Sequence, residues 1–233
     1  MKKHMIPIAL LAALALAGAQ YYPPTAFFQN KPTADVFHDF NATNETGAYT
    51  GTAVASGTSA VTNGRLVLSG AANTDNSGFQ FQLNAFPVQF ARNKQYSFAF
   101  EVDLNATGEF LGGYAVNDTS LEASPPANGI LIGRDEANLN NLTVLVRSNN
   151  NNALDEVVPG VVSDGVFGFS WRQRTSTKGD LDVYKNGRII YQASDVTSPQ
   201  TSAFMSPSIA FQSTSNTGTQ TASFDWVHAR WDR

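Results

Sequence analysis

Between positions 95 and 104 the chain alternates without a break. Tyr96, Phe98, Phe100, Val102 and Leu104 share one side of an extended segment, and Ser97, Ala99, Glu101 and Asp103 share the other. A period of two with one apolar side predicts a strand with one face on a core and one in water. The same pattern recurs at 79–86, where Phe79, Phe81 and Leu83 alternate with Gln80 and Gln82. Further strands are predicted at 36–40, 65–69, 110–116, 129–134, 142–148, 166–174, 181–185, 188–192, 207–212 and 222–231. Asn186-Gly187 supplies the two positive φ angles of a type I′ hairpin turn. No stretch of ten residues carries a helical period. Residues 117–128 and 149–156 are predicted as long loops, the second around a polar asparagine run. Many short strands separated by turns imply an all-β sandwich or barrel. One-sided alternation implies antiparallel sheets.

The first nineteen residues read differently. Lys2, Lys3 and His4 precede an apolar run from Ile6 to Ala17, and Ala17-Gly18-Ala19 is a small-x-small cleavage site. This is the layout of a secretory signal of bacterial type, 1–19. The run is too short for a comfortable membrane span, so no span is expected in the mature chain, although a retained N-terminal anchor is the alternative. Residues 20–34 hold three prolines and four aromatics (Tyr21, Tyr22, Phe27, Phe28) without a period. They read as an extended arm that packs on the domain or docks on a partner in the cell envelope. The remainder, 35–233, fits a single domain.

Composition narrows the chemistry. There is no cysteine, so export brings no disulfides here. The net charge is −4, and charged residues make up only 15% of the chain. That balance excludes a nucleic-acid partner, which demands a basic stripe. It is compatible with uncharged sugars. Asn-x-Thr triplets begin at Asn41, Asn44, Asn105, Asn117 and Asn141 and would accept glycans only in a glycosylating host. His38 and His228 are the only histidines after the signal, so zinc and Ser-His-Asp chemistry find no support. Gly112-Gly113 sits within a strand and reads as a bulge or a close backbone approach rather than a phosphate loop.

Four short motifs, in order, carry a resemblance. Phe37-His38-Asp39-Phe40-Asn41 is similar to the opening strand of secreted glucanases, and Gly64-Arg65-Leu66-Val67-Leu68 to the strand that follows it. Phe169-Ser170-Trp171 with Asp182-Val183-Tyr184-Lys185-Asn186-Gly187 resembles their tryptophan strand and tyrosine-containing hairpin. Phe224-Asp225-Trp226-Val227-His228-Ala229 resembles their closing strand. Together they resemble the concanavalin A-like lectin/glucanase superfamily over most of 35–233. The resemblance implies a jelly-roll sandwich of two antiparallel sheets that binds or cleaves glycans. Its enzymes carry Glu-x-Asp-x-x-Glu on a mid-chain strand, with one glutamate as nucleophile and one as general acid. Here Glu101-Val102-Asp103 begins that pattern, but Ala106 stands at the second glutamate and the strand comes too early. At the expected place, Asp135 and Glu136 are adjacent and face opposite sides of a strand. No catalytic residue is therefore assigned.

Several residues remain as candidate ligand contacts. Glu101 and Asp103 lie on the polar side of their strand, either as a solvated face or as the floor of a sugar groove. Tyr114, Arg134, Arg147 and Arg172 are candidate donors on other strands, since an arginine offers a rigid fork of five N–H groups. Ser170 and Arg174 share parity with Arg172. Trp171 shares parity with Phe167 and Phe169, which favours a core position over a stacking platform. The resemblance also implies a structural calcium where the chain ends meet, held by Asp225 with Asp39 or a nearby carbonyl. The expected function is a secreted, periplasmic or cell-surface, non-catalytic carbohydrate-binding (lectin-like) domain. Its partner would be a polysaccharide or surface glycan lying across the concave sheet. The alternatives are a structural or adhesive envelope protein working through residues 20–34, and a divergent glycoside hydrolase.

Overall fold

The computed structural model describes residues 33–40, 50–54, 56–70, 78–82, 87–103, 108–116, 126–134, 140–213 and 219–232. They form fifteen strands in two antiparallel sheets. The first sheet has eight: β1 (Thr33–His38), β3 (Thr58–Thr62), β4 (Arg65–Ser69), β6 (Gln95–Asp103), β11 (Gly165–Gln173), β12 (Lys178–Lys185), β13 (Arg188–Thr197) and β15 (Thr221–Asp232). Their order is β13-β12-β11-β6-β15-β4-β3. The long β15 shares one flank between β4, on residues 221–224, and β1, on residues 227–232. The second sheet has seven: β2 (Thr50–Val54), β5 (Gly78–Gln82), β7 (Glu109–Ala115), β8 (Gly129–Arg134), β9 (Leu142–Ser148), β10 (Asn151–Val158) and β14 (Ser206–Gln212). Their order is β10-β9-β8-β7-β14-β5-β2. Among the described residues, no helix is long and apolar enough to cross a membrane.

The core lies between the sheets and follows from the alternation. Tyr96, Phe98, Phe100 and Val102 of β6, Phe167, Phe169 and Trp171 of β11, and Leu181 and Val183 of β12 point inward from the first sheet. Phe110 and Tyr114 of β7, Ile130 and Ile132 of β8, and Ile209 and Phe211 of β14 meet them from the second. The rings interlock as offset and edge-to-face pairs, such as Phe98 with Tyr114 at 5.9 Å and Phe100 with Phe110 at 5.7 Å. Such pairs are worth about 0.5–1.5 kcal/mol beyond their burial. Gly112 leaves room for this packing. A Cβ there would stand 2.5 Å from a Phe100 ring carbon.

Trp171 is fully buried, as its parity implied, and its Nε1–H donates to Gln173 Oε1 at 2.8 Å. The hairpin at Asn186-Gly187 has φ of 46° and 78°, the positive pair of a type I′ turn. The expected loop at 149–156 is different: most of it is β10, hairpinned to β9 through Asn149 and Asn150 at φ 50° and 65°. Asparagine tolerates that left-handed conformation, so the polar run is a turn and the start of an edge strand. β10 is largely exposed and bulged between Asn152 and Leu154, which erased its alternation. The edge strands β2 and β3 carry no alternation for a related reason, since β3 is exposed at nearly every position. β1 begins at Thr33, two residues inside the segment expected to be an arm.

Candidate carbohydrate-binding face

Each sheet has an outer face turned away from the core, and the two differ in chemistry. On the seven-stranded sheet, Leu111, Ala115, Leu131, Leu145 and Ala210 form a small apolar cluster and are all buried. Gln80 and Gln82 lie on the same side, equally buried, with Gln80 Nε2 donating to Ser208 Oγ at 3.0 Å and Gln82 Nε2 to the Ala115 carbonyl at 3.2 Å. Their polar groups are bonded within the protein.

The outer face of the eight-stranded sheet is polar and open. Register places Ser170 of β11 beside Asp182 of β12, and Arg172 beside Asp180. Gln95 of β6 pairs with Arg172 from the other side. These residues, with Gln192 and Ser194 of β13, line a depression of about 350 Å³. A charge network holds its floor. Arg172 Nη2 donates to Asp180 Oδ2 at 2.8 Å, Arg174 Nε meets Asp180 Oδ1 at 3.0 Å, and Arg174 Nη2 donates to Asp195 Oδ1 at 2.9 Å. Gln192 Nε2 donates to Asp182 Oδ1 at 2.7 Å. Burial pushes the Asp180 carboxyl up, but hydrogen bonds from Arg172 and the Asp195 amide, with the charges of Arg174 and Arg172, outweigh it. Asp180 therefore lies below the usual carboxylate range and stays ionised. A glycosidase general acid needs the opposite shift.

The same face carries an aromatic group at its far side. A bulge between Phe224 and Val227 lets both flanking residues face the core while Trp226 swings outward. The Trp226 Nε1–H donates to Glu101 Oε2 at 2.7 Å, which fixes the indole. Phe37 of β1 lies 5.9 Å from that ring, inclined by 33°, and 6.0 Å from the His228 ring. His228 Nε2 is 2.6 Å from Asp35 Oδ1.

The six residues singled out for ligand contact do not converge. Glu101, Asp103 and Arg172 share the outer face of the eight-stranded sheet. However, Arg172 pairs with Gln95 at the opposite end of β6 from Glu101. At about 3.4 Å per residue that is roughly 20 Å. Asp103 is bonded to Arg65. Tyr114 lies in the core with no exposed surface, and its hydroxyl donates across to the Ser97 and Arg230 carbonyls at 3.0 and 3.1 Å. Its parity within β7, shared with Phe110, puts it between the sheets, so it holds them together rather than reading a surface ligand. Arg134 ends β8 with its guanidinium 3.3 Å from the Gly108 carbonyl, and burial lowers its pKa against the raising charge of Asp164. Arg147 is buried on the other sheet, bonded to the Pro126 carbonyl and to Asn152. No pattern in the sequence marks Asp180, Asp182, Gln192 or Phe37 as members of this face. The pairing of Asp180 and Asp182 with Arg172 and Ser170 depends on the β11–β12 register, which no local motif announces.

The calcium expectation meets a mismatched site. Asp225 faces Arg65, with Nε to Oδ1 at 3.6 Å, and the same arginine binds Asp103. Arg65 thus offsets the charge of both carboxylates, whereas calcium wants six to eight oxygens around it. Among the described residues no three acidic or histidine side chains cluster around a common point.

No protein-family model matches the chain, and no curated protein matches it by sequence. Solved structures do match its shape. Peanut lectin aligns with 86% of this chain and 97% of its own, at 15% identity and a TM-score of 0.56. The Emp46p carbohydrate recognition domain, in a potassium-bound form, aligns with 82% and 94% at 12% identity and a TM-score of 0.56. A prokaryotic β-1,3-1,4-glucanase (lichenase) from a mouse hindgut metagenome aligns with 84% and 98% at 11% identity and a TM-score of 0.57. The fold is the concanavalin A-like sandwich shared by lectins and glycoside hydrolases.

Proposed function

We propose that this chain is an exported, non-catalytic carbohydrate-binding domain. Its ligand would be an uncharged polysaccharide, bound on the outer face of the eight-stranded sheet. The observation that carries the reading is the open depression lined by Gln95, Ser170, Arg172, Asp180, Asp182 and Gln192. Carboxylates and amide oxygens there can accept from sugar hydroxyls, and the arginine and amide N–H groups can donate to them. Side chains already fixed by one another lose little freedom when a ligand arrives, so affinity is not spent on ordering them. The ionised Asp180 argues against an acid-catalysed cleavage at this site. The basic start, the apolar run Ile6–Ala17 and the small-x-small site within 1–19 support export. The fold hosts both binding and cleaving proteins, so the function rests on the site rather than on the architecture.

A thermal-shift screen of residues 20–233 against neutral polysaccharides tests this, beginning with β-1,3-1,4-glucan, since a glucanase specific for that polymer shares the fold. A saturable rise, abolished in Arg172→Ala and Asp182→Asn, is the expected result. A rise unaffected by either substitution would remove the site. No rise with any polysaccharide would move the reading to a structural envelope protein acting through residues 20–34.

A further inference from the structure

We infer that the outer face of the eight-stranded sheet accommodates a linear glycan several units long, running across the strands from Gln192 to an aromatic end platform at Phe37 and Trp226. This rests on the carbohydrate reading above and adds the length of the ligand and a second anchoring point.

Register assigns the face two neighbouring rows. The first reads Gln192, Asp182, Ser170, Ser97, Arg230, Asp35, one residue from each of β13, β12, β11, β6, β15 and β1. The second reads Tyr184, Gly168, Ala99, His228, Phe37 across β12, β11, β6, β15 and β1. Neighbouring strands lie about 4.8 Å apart, so the polar row is roughly 24 Å long. A monosaccharide covers only a fraction of that length. The middle of the second row is kept low by Gly168 and Ala99. A Cβ on Gly168 would stand 2.8 Å from the Phe98 carbonyl.

The platform has the chemistry of a sugar-stacking site. Phe37 is 57% exposed and lies beside the outward-facing Trp226 ring. Its neighbour Trp226 is held in one orientation by Glu101. The Phe37 and Trp226 rings, tilted by 33°, offer an apolar surface to the C–H side of a pyranose, while Asp35 and Glu101 beside them can accept from its hydroxyls. An apolar protein partner would bury those carboxylates without replacing their water, at a cost of kilocalories. A hydroxyl-rich ligand replaces it. The platform is therefore matched to a hydroxyl-rich ligand rather than to an apolar protein surface.

The test is calorimetric titration of residues 20–233 with linear β-1,3-1,4-gluco-oligosaccharides, from disaccharide to octasaccharide. Wild-type affinity is expected to climb at least tenfold between the shortest and the longest. Phe37→Ala should flatten that climb while leaving the disaccharide unchanged, and Phe37→Trp should restore it. Arg172→Ala should weaken every length. If affinity is the same at all lengths, or Phe37→Ala behaves as wild type, the inference fails and the carbohydrate reading stands. If no length binds and the polymer gives no thermal shift, the carbohydrate reading fails with it. Concentration-dependent sedimentation abolished by Phe37→Ala would assign the platform to self-association and overturn the inference.

Discussion

Tyr114→Phe separates a residue that joins the sheets from one that reads a ligand. The substitution keeps the ring, and with it the edge-to-face contacts to Phe98 and Trp231 at 5.9 and 6.4 Å. No cavity opens. The loss is confined to one hydroxyl, whose proton is shared between the Ser97 and Arg230 carbonyls. Those carbonyls belong to facing residues of β6 and β15, so the bond ties β7 of one sheet to two strands of the other. A buried hydrogen bond contributes about 1 kcal/mol net, and leaving a buried acceptor short of its partner raises the cost to about 1–3 kcal/mol. Both carbonyls sit within a paired sheet, so the expected loss is about 1–2 kcal/mol. For a domain of this size each kilocalorie lowers Tm by about 2–4 °C, so the expected shift is about 2–8 °C. Urea unfolding should show a lower midpoint at an unchanged slope, because the exposed surface is the same. Polysaccharide affinity, measured well below Tm, should be unchanged. Unaltered stability with lost affinity would instead make Tyr114 a ligand contact.

Other consequences follow from the same geometry. Burial pushes the Tyr96 hydroxyl up to about 12, against the hydrogen bond donated by the Ala91 amide and with the Asp232 carboxylate. The folded state then keeps a proton that the unfolded chain loses near pH ~10. Stability present below pH ~10 is thus lost as pH rises towards ~12, by about 2–3 kcal/mol, and the urea midpoint of Tyr96→Phe should fall less steeply over that window. Gly112→Ala should cost about 1–3 kcal/mol in chemical denaturation, since its Cβ would press on Phe100. EDTA should leave Tm and glycan binding unchanged, because Arg65 already neutralises Asp103 and Asp225. A calcium-dependent rise in Tm would contradict that.

Much of the sandwich was legible because alternation and burial coincide in its central strands. β4, β8 and β9 fall on the residues their patterns mark, and β6 differs by one. The edge strands were not legible in the same way. β3 and β10 bury little, so no core imposes a period on them, and an asparagine run that looks like a loop can turn a hairpin. The site was harder still. Parity within a strand told which residues share a side, which placed Glu101 with Asp103 and Ser170 with Arg172. It did not tell which sheet a strand joins or which side faces the core at β7, so Tyr114, Arg134 and Arg147 were grouped with residues that the fold keeps apart. Trp226 depends on a bulge, and a bulge reverses parity without a sequence mark of its own.

Hydrogen–deuterium exchange with and without bound β-1,3-1,4-glucan locates the ligand on one sheet or the other. Exchange is expected to slow in β11, β12 and β13, the strands that carry Arg172, Asp180, Asp182 and Gln192, with little change in β7, β8, β9 and β14. Protection confined to β7, β8, β9 and β14 would place the ligand on the seven-stranded sheet and contradict it.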